Sequence, residues 1–69
     1  MMSAASVQEF RKFVIRFESL FREGRGMAFP CDATGRVNLD QLTERARCNY
    51  LFARAMIGRE YAVPSVSAA

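Results

Sequence analysis

Sixty-nine residues carry ten Lys and Arg against seven Asp and Glu, a net charge of +3, with 51% hydrophobic and 25% charged side chains. That composition excludes a disordered polyelectrolyte, and the length allows a single small domain whose own core is marginal. There is no His, so Ser–His, Cys–His and His–metal chemistry is excluded, and the sequence predicts a protein that is not an enzyme.

Residues 1–6 are expected to form a flexible N-terminus, residues 7–63 one domain, and residues 64–69 a mobile tail. Ser6 followed by Glu9 matches a capping box, which starts a first helix at Val7. Val7, Phe10, Phe13, Val14, Phe17, Leu20 and Phe21 then fall on one side of a helical wheel, with Arg11, Lys12, Arg16, Glu18 and Arg22 on the other. Ile15 is the exception, an apolar residue among the polar positions. Gly24 ends this helix, predicted over about 7–23.

The segment from Gly24 to Val37 is too long for a bare connection and should carry structure of its own. Two forms are open: a short β-hairpin turning at Asp32-Ala33-Thr34-Gly35, or an irregular loop pinned by Phe29 and Pro30. Either brings Phe29 and Val37 back onto the helices. The segment imitates an EF-hand loop at Asp32, Thr34, Gly35 and Val37, but Pro30 and Gln41 replace its terminal carboxylates, which removes calcium binding.

Asn38 followed by Gln41, with Val37 and Leu42 as a hydrophobic staple, predicts a second helix over about 39–57, ending at Gly58. Setting successive residues roughly 100° apart places Leu39, Leu42, Ala46, Tyr50, Ala53 and Ile57 on one stripe and Cys48, Leu51, Phe52 and Ala55 on the opposite one. A hairpin partner covers only the first stripe. The fold expected is therefore all-α: a helical hairpin whose second stripe, Cys48, Leu51, Phe52 and Ala55, is an interface that builds a four-helix bundle as a homodimer, or that receives another protein.

Cys31 and Cys48 stand 17 residues apart, without the paired spacing of zinc or iron–sulfur sites, so no metal or cofactor is expected. No leader pattern precedes them, and they are expected as reduced thiols of a cytoplasmic protein, Cys48 packed and Cys31 open to solvent. Charges interrupt every apolar stretch, which excludes a membrane-spanning helix. The function predicted is a non-catalytic, self-associating protein-interaction or adaptor module. Its alternative is a weak nucleic-acid-binding dimer, since nine of the ten basic residues are Arg and Arg47 and Arg54 share one face of the second helix.

Overall fold

A computed structural model describes residues 13–69 and shows a three-stranded antiparallel sheet with one α-helix laid on it. Strands β1 (Phe13–Glu18) and β2 (Gly26–Cys31) form a hairpin, and β3 (Ser65–Ala68) pairs with the other side of β1, giving the order β2-β1-β3. A 3-10 turn (Leu39–Gln41) and the helix α1 (Glu44–Ala55) lie between β2 and β3.

This overturns the all-α hairpin. Phe13-Val14-Ile15-Arg16-Phe17-Glu18 alternates, with Ile15 and Phe17 buried and Arg16 and Glu18 exposed, which is the period of a strand with one covered face. Ile15 was the discordant residue on the helical wheel; on the sheet it is only 8% exposed, opposite Phe29 on one side and Val66 on the other. The expected helix over 7–23 therefore fails from Phe13 onward, and with it the four-helix dimer. The Ser6–Glu9 capping box and the flexible 1–6 segment lie outside the described residues.

β1 gives way at Ser19 to a reversal of the chain: the Ser19 amide donates to the Arg25 carbonyl at 2.9 Å, and the Arg25 amide to the Arg22 carbonyl at 3.0 Å. Gly24 holds a φ of 79°, so the predicted left-handed stop is real, but it closes a hairpin and not a helix. At Gly26 a side chain would collide with the Phe17 carbonyl oxygen, which makes glycine the residue that allows β2 to begin. The hairpin is thus formed at Ser19–Arg25. The turn predicted at Asp32–Gly35 exists, yet it leads β2 away from the sheet and not into a strand partner.

That second turn is held by Asp32. Its carboxylate accepts from the Thr34 amide at 2.9 Å, the Thr34 hydroxyl at 2.7 Å and the Arg36 amide at 2.8 Å. Asn38 caps as expected, accepting from the Asp40 amide at 3.0 Å, but the helix it starts lasts one 3-10 turn. Leu42 and Thr43 are extended, and Thr43 then caps α1 by accepting from the Ala46 amide at 3.1 Å. One continuous helix over 39–57 is therefore two pieces, because a second Ser/Thr-type cap inside the segment stabilises a fresh start.

After α1 the chain folds back through Gly58, whose φ is 86°. The Leu20 amide donates to the Glu60 carbonyl at 2.9 Å and the Ala62 amide to the Glu18 carbonyl at 2.8 Å, so residues 60–62 extend the pairing of β1 before Pro64 and β3. The tail expected to be mobile is a strand. The core sits between α1 and the sheet face that carries Ile15, Phe17, Phe29 and Cys31, and it is completed by Val37, Tyr50 and Ala53. Phe17, Phe29 and Tyr50 meet edge to face with ring centres 5.3 to 6.0 Å apart, an arrangement that adds about 0.5–1.5 kcal/mol per pair beyond area burial.

Candidate functional site

α1 has an inner and an outer side. Tyr50 and Ala53 point at the sheet and are buried. Cys48, Leu51, Phe52 and Ala55, the interface residues expected from sequence, share the outer side, and all four are exposed. Leu51 is 46% and Phe52 50% exposed, large apolar areas beside the seven buried core residues among those described. The expectation that Cys48 is packed is not met within one chain.

The outer strip is mechanically tied to the core. The Phe52 ring lies edge-on to Tyr61, with centres 6.2 Å apart, and Tyr61 lies edge-on to the buried Phe17 at 6.5 Å. Tyr61 is fixed in turn by isolated bridges to Ser19 and to Ile57. A rigid aromatic is a better contact residue than a mobile one, since less side-chain entropy is lost on association.

Tyr61 also lines a shallow cleft of about 470 Å³ with Ser19, Phe21, Arg22, Arg25, Gly26 and Glu60. Phe21 is 74% exposed there, at the tip of the β1–β2 hairpin. Its loop is shaped by Ser19, whose hydroxyl oxygen accepts from the amides of Phe21 at 3.2 Å and Arg22 at 3.0 Å. Phe21 and Tyr61 are the surface residues that the helical reading hid. The helical wheel places Phe21 in the core of a first helix, although Glu23-Gly24-Arg25-Gly26 beside it carries the marks of a turn.

Arg47 and Arg54, the possible nucleic-acid pair, do share one flank of α1, but each serves its own chain. The Arg47 Nε donates to the Leu39 carbonyl at 3.3 Å, anchoring the 3-10 turn to the helix. The Arg54 guanidinium stands 5.8 Å from the centre of the Tyr50 ring, within cation–π range.

The cysteines exchange the places expected for them. Cys31 is fully buried, and burial first, then the adjacent Asp32 carboxylate, raises its thiol pKa above the ordinary value. A protonated, enclosed thiol is a poor nucleophile. Asp32 is held below the usual carboxylate range by its hydrogen bonds from Thr34 and Arg36, and to a smaller extent by the charge of Arg36.

Among the described residues no group of three or more Cys, Asp or Glu side chains could hold a metal, and no helix is long and apolar enough to cross a membrane. Comparison with protein-family models, curated proteins and solved structures finds no match to this chain.

Proposed function

We propose that this chain is a non-catalytic, self-associating interaction module of the cytoplasm, in which the outer strip of α1 is the contact between copies. The observation that carries the reading is the half-exposure of Leu51 and Phe52 on a helix whose inner side is already packed against the sheet. Cys48 and Ala55, small residues at either end of the strip, allow a second helix to approach closely. Arg47 and Arg54 are engaged within their own chain, by the Leu39 carbonyl and the Tyr50 ring. The same engagement speaks against the nucleic-acid reading of that pair, whose phosphate contacts would compete with these internal ones. Aromatic and Arg residues at Phe21, Tyr61, Arg22 and Arg25 give the strip an adjoining rim of the composition that interfaces favour.

Multi-angle light scattering of the wild type and of a Leu51→Glu, Phe52→Glu double variant tests the proposal. Both residues are exposed in one chain, so the variant should keep its circular dichroism spectrum and melting cooperativity while its mass falls toward 7.8 kDa. Burying four unpaired carboxylates in a dimer would cost several kcal/mol. An unchanged mass above that of one chain removes the strip as the contact.

A further inference from the structure

At the tip of the β1–β2 hairpin one cleft of about 470 Å³ is lined by two arginines and two aromatic rings: Arg22, Arg25, Phe21 and Tyr61. The backbone sets the arginines close together. The Arg25 amide donates to the Arg22 carbonyl at 3.0 Å, and Gly24 between them holds a φ of 79°, so they are the first and last residues of one β-turn, with Cα atoms under about 7 Å apart. Two guanidiniums that near repel each other until an anion stands between them. Among the described residues Arg47 donates to a carbonyl and Arg54 stacks on a ring, whereas the Arg22 and Arg25 side chains have no such partner. Glu60 is the one carboxylate lining the cleft, so cations outnumber it two to one.

The two rings differ in freedom. Tyr61 stands edge-on to both Phe17 and Phe52, which makes it a fixed wall. Phe21 is 74% exposed, yet its amide and that of Arg22 are both bound by the Ser19 hydroxyl oxygen, so the ring rides on a shaped loop. An exposed ring on such a loop, next to paired arginines, is a stacking surface beside an anion site.

We propose that this cleft binds a nucleotide unit of single-stranded nucleic acid, with the phosphate between Arg22 and Arg25 and the base on Phe21. Guanidiniums suit phosphate oxygens through paired N–H donors, and a flat π-system joined to a phosphate is what a nucleotide carries and an acidic peptide lacks. The cleft volume falls within the range of small-ligand sites, about 300–1,000 Å³. A strand is favoured over a free nucleotide because Arg25 also borders a second depression, which holds Arg16 on the sheet face that α1 leaves open and offers a place to the next phosphate. The site is distinct from the Arg47–Arg54 pair, and it goes beyond the self-association proposed above.

Fluorescence anisotropy of a labelled short oligothymidylate tests it on the wild type, Phe21→Ala and an Arg22→Gln, Arg25→Gln double variant, with thymidine monophosphate and inorganic polyphosphate as competitors. All three residues are exposed, so the circular dichroism spectrum should persist in both variants. Phe21→Ala should weaken binding about tenfold and leave its salt dependence unchanged. The arginine variant should instead lower the slope of log affinity against log salt by about 1.4, two phosphates' worth on a single strand. Thymidine monophosphate should displace the oligonucleotide only at much higher concentration; equal potency per nucleotide overturns the strand as the source of the ligand. Polyphosphate that competes as well as the oligonucleotide, or Phe21→Ala that binds as the wild type does, overturns the stacked base. No binding at low salt and high micromolar protein overturns the site. Both variants should sediment as the wild type does, and a change in mass in place of a change in binding assigns these residues to the contact between copies and overturns the proposal.

Discussion

Ile15 separates the sheet from the helical hairpin more cleanly than any other residue, and Ile15→Ala is the substitution to make. On a helix over 7–23 the side chain stands among Arg11, Lys12 and Arg16, and its loss would change stability by no more than about 0.5 kcal/mol. On β1 it is 8% exposed, paired across the sheet with Phe29 and Val66, and it stands in the cluster that contains Phe17 and Tyr50. Removing its three outer carbons from that site costs the transfer free energy plus the cavity, about 2–5 kcal/mol. A chain of this length has a total stability of about 3–10 kcal/mol, so the loss is a large part of the whole. The melting temperature should fall by roughly 10 °C or more, at about 4–8 °C per kcal/mol for a small domain. Urea unfolding followed by circular dichroism measures it, in the Leu51→Glu, Phe52→Glu background so that association does not shift the midpoint with concentration. A destabilisation under 1 kcal/mol would refute the placement of Ile15 in the core and the strand assignment with it.

Phe17→Ala should be more damaging still, about 3–5 kcal/mol, since Phe17 is 1% exposed and meets the rings of Phe29, Tyr50 and Tyr61; chemical denaturation reads this directly. Thr43→Ala should cost about 1 kcal/mol through the lost cap on α1, and Asn38→Ala should cost less because it frees only a single turn; thermal melts rank the two. Asp32 is held at a lower pKa in the folded state than in the unfolded one. Its contribution is therefore present above the usual carboxylate pKa and is lost as pH falls through the depressed folded value. Asp32→Asn should flatten stability against pH below about pH 4, and a wild-type slope there that persists in the variant would locate the acid sensitivity elsewhere. In thiol labelling, Cys31 should stay protected until the protein unfolds, while Cys48 should react quickly in the Leu51→Glu, Phe52→Glu variant and more slowly in the associated wild type.

Much of the core was legible in the residues, and the reason the fold was not lies in one ambiguity of period. Phe13 and Phe17 are four residues apart, a spacing shared by one face of a helix and by every second position on one face of a strand. The spacing of these aromatics therefore cannot choose. Ile15, halfway between them, does choose, and so do the β-branched Val14 and Ile15 together. Phe29, Val37, Tyr50 and Ala53 were placed inward and are buried. The Asn38 cap and the Asp32 turn are local hydrogen-bond effects, which short sequence windows carry well, whereas the helix expected to end at Gly58 ends at Ala55 and Gly58 lies in the turn that follows. What each connects to is not local. The Asp32 turn leaves a hairpin and an irregular loop both open, because nothing nearby reveals that β2 pairs backward with β1. β3 was missed because Ser65-Val66-Ser67-Ala68 is small and weakly apolar, and becomes a strand only through the ladder that β1 offers it. The outer strip of α1 was legible, since Cys48, Leu51, Phe52 and Ala55 follow from helical spacing alone, whatever packs on the inner side. Phe21 and Tyr61 were not, because their neighbourhood is created by the reversal at Ser19–Arg25 and the return of the chain through Gly58.

Sedimentation velocity of the wild-type protein over a concentration range up to high micromolar tests self-association most directly. A self-associating chain gives a sedimentation coefficient that rises with concentration toward a species of two or more 7.8 kDa chains, and that the Leu51→Glu, Phe52→Glu change reduces. A coefficient fixed at the value of a single chain throughout that range would contradict it.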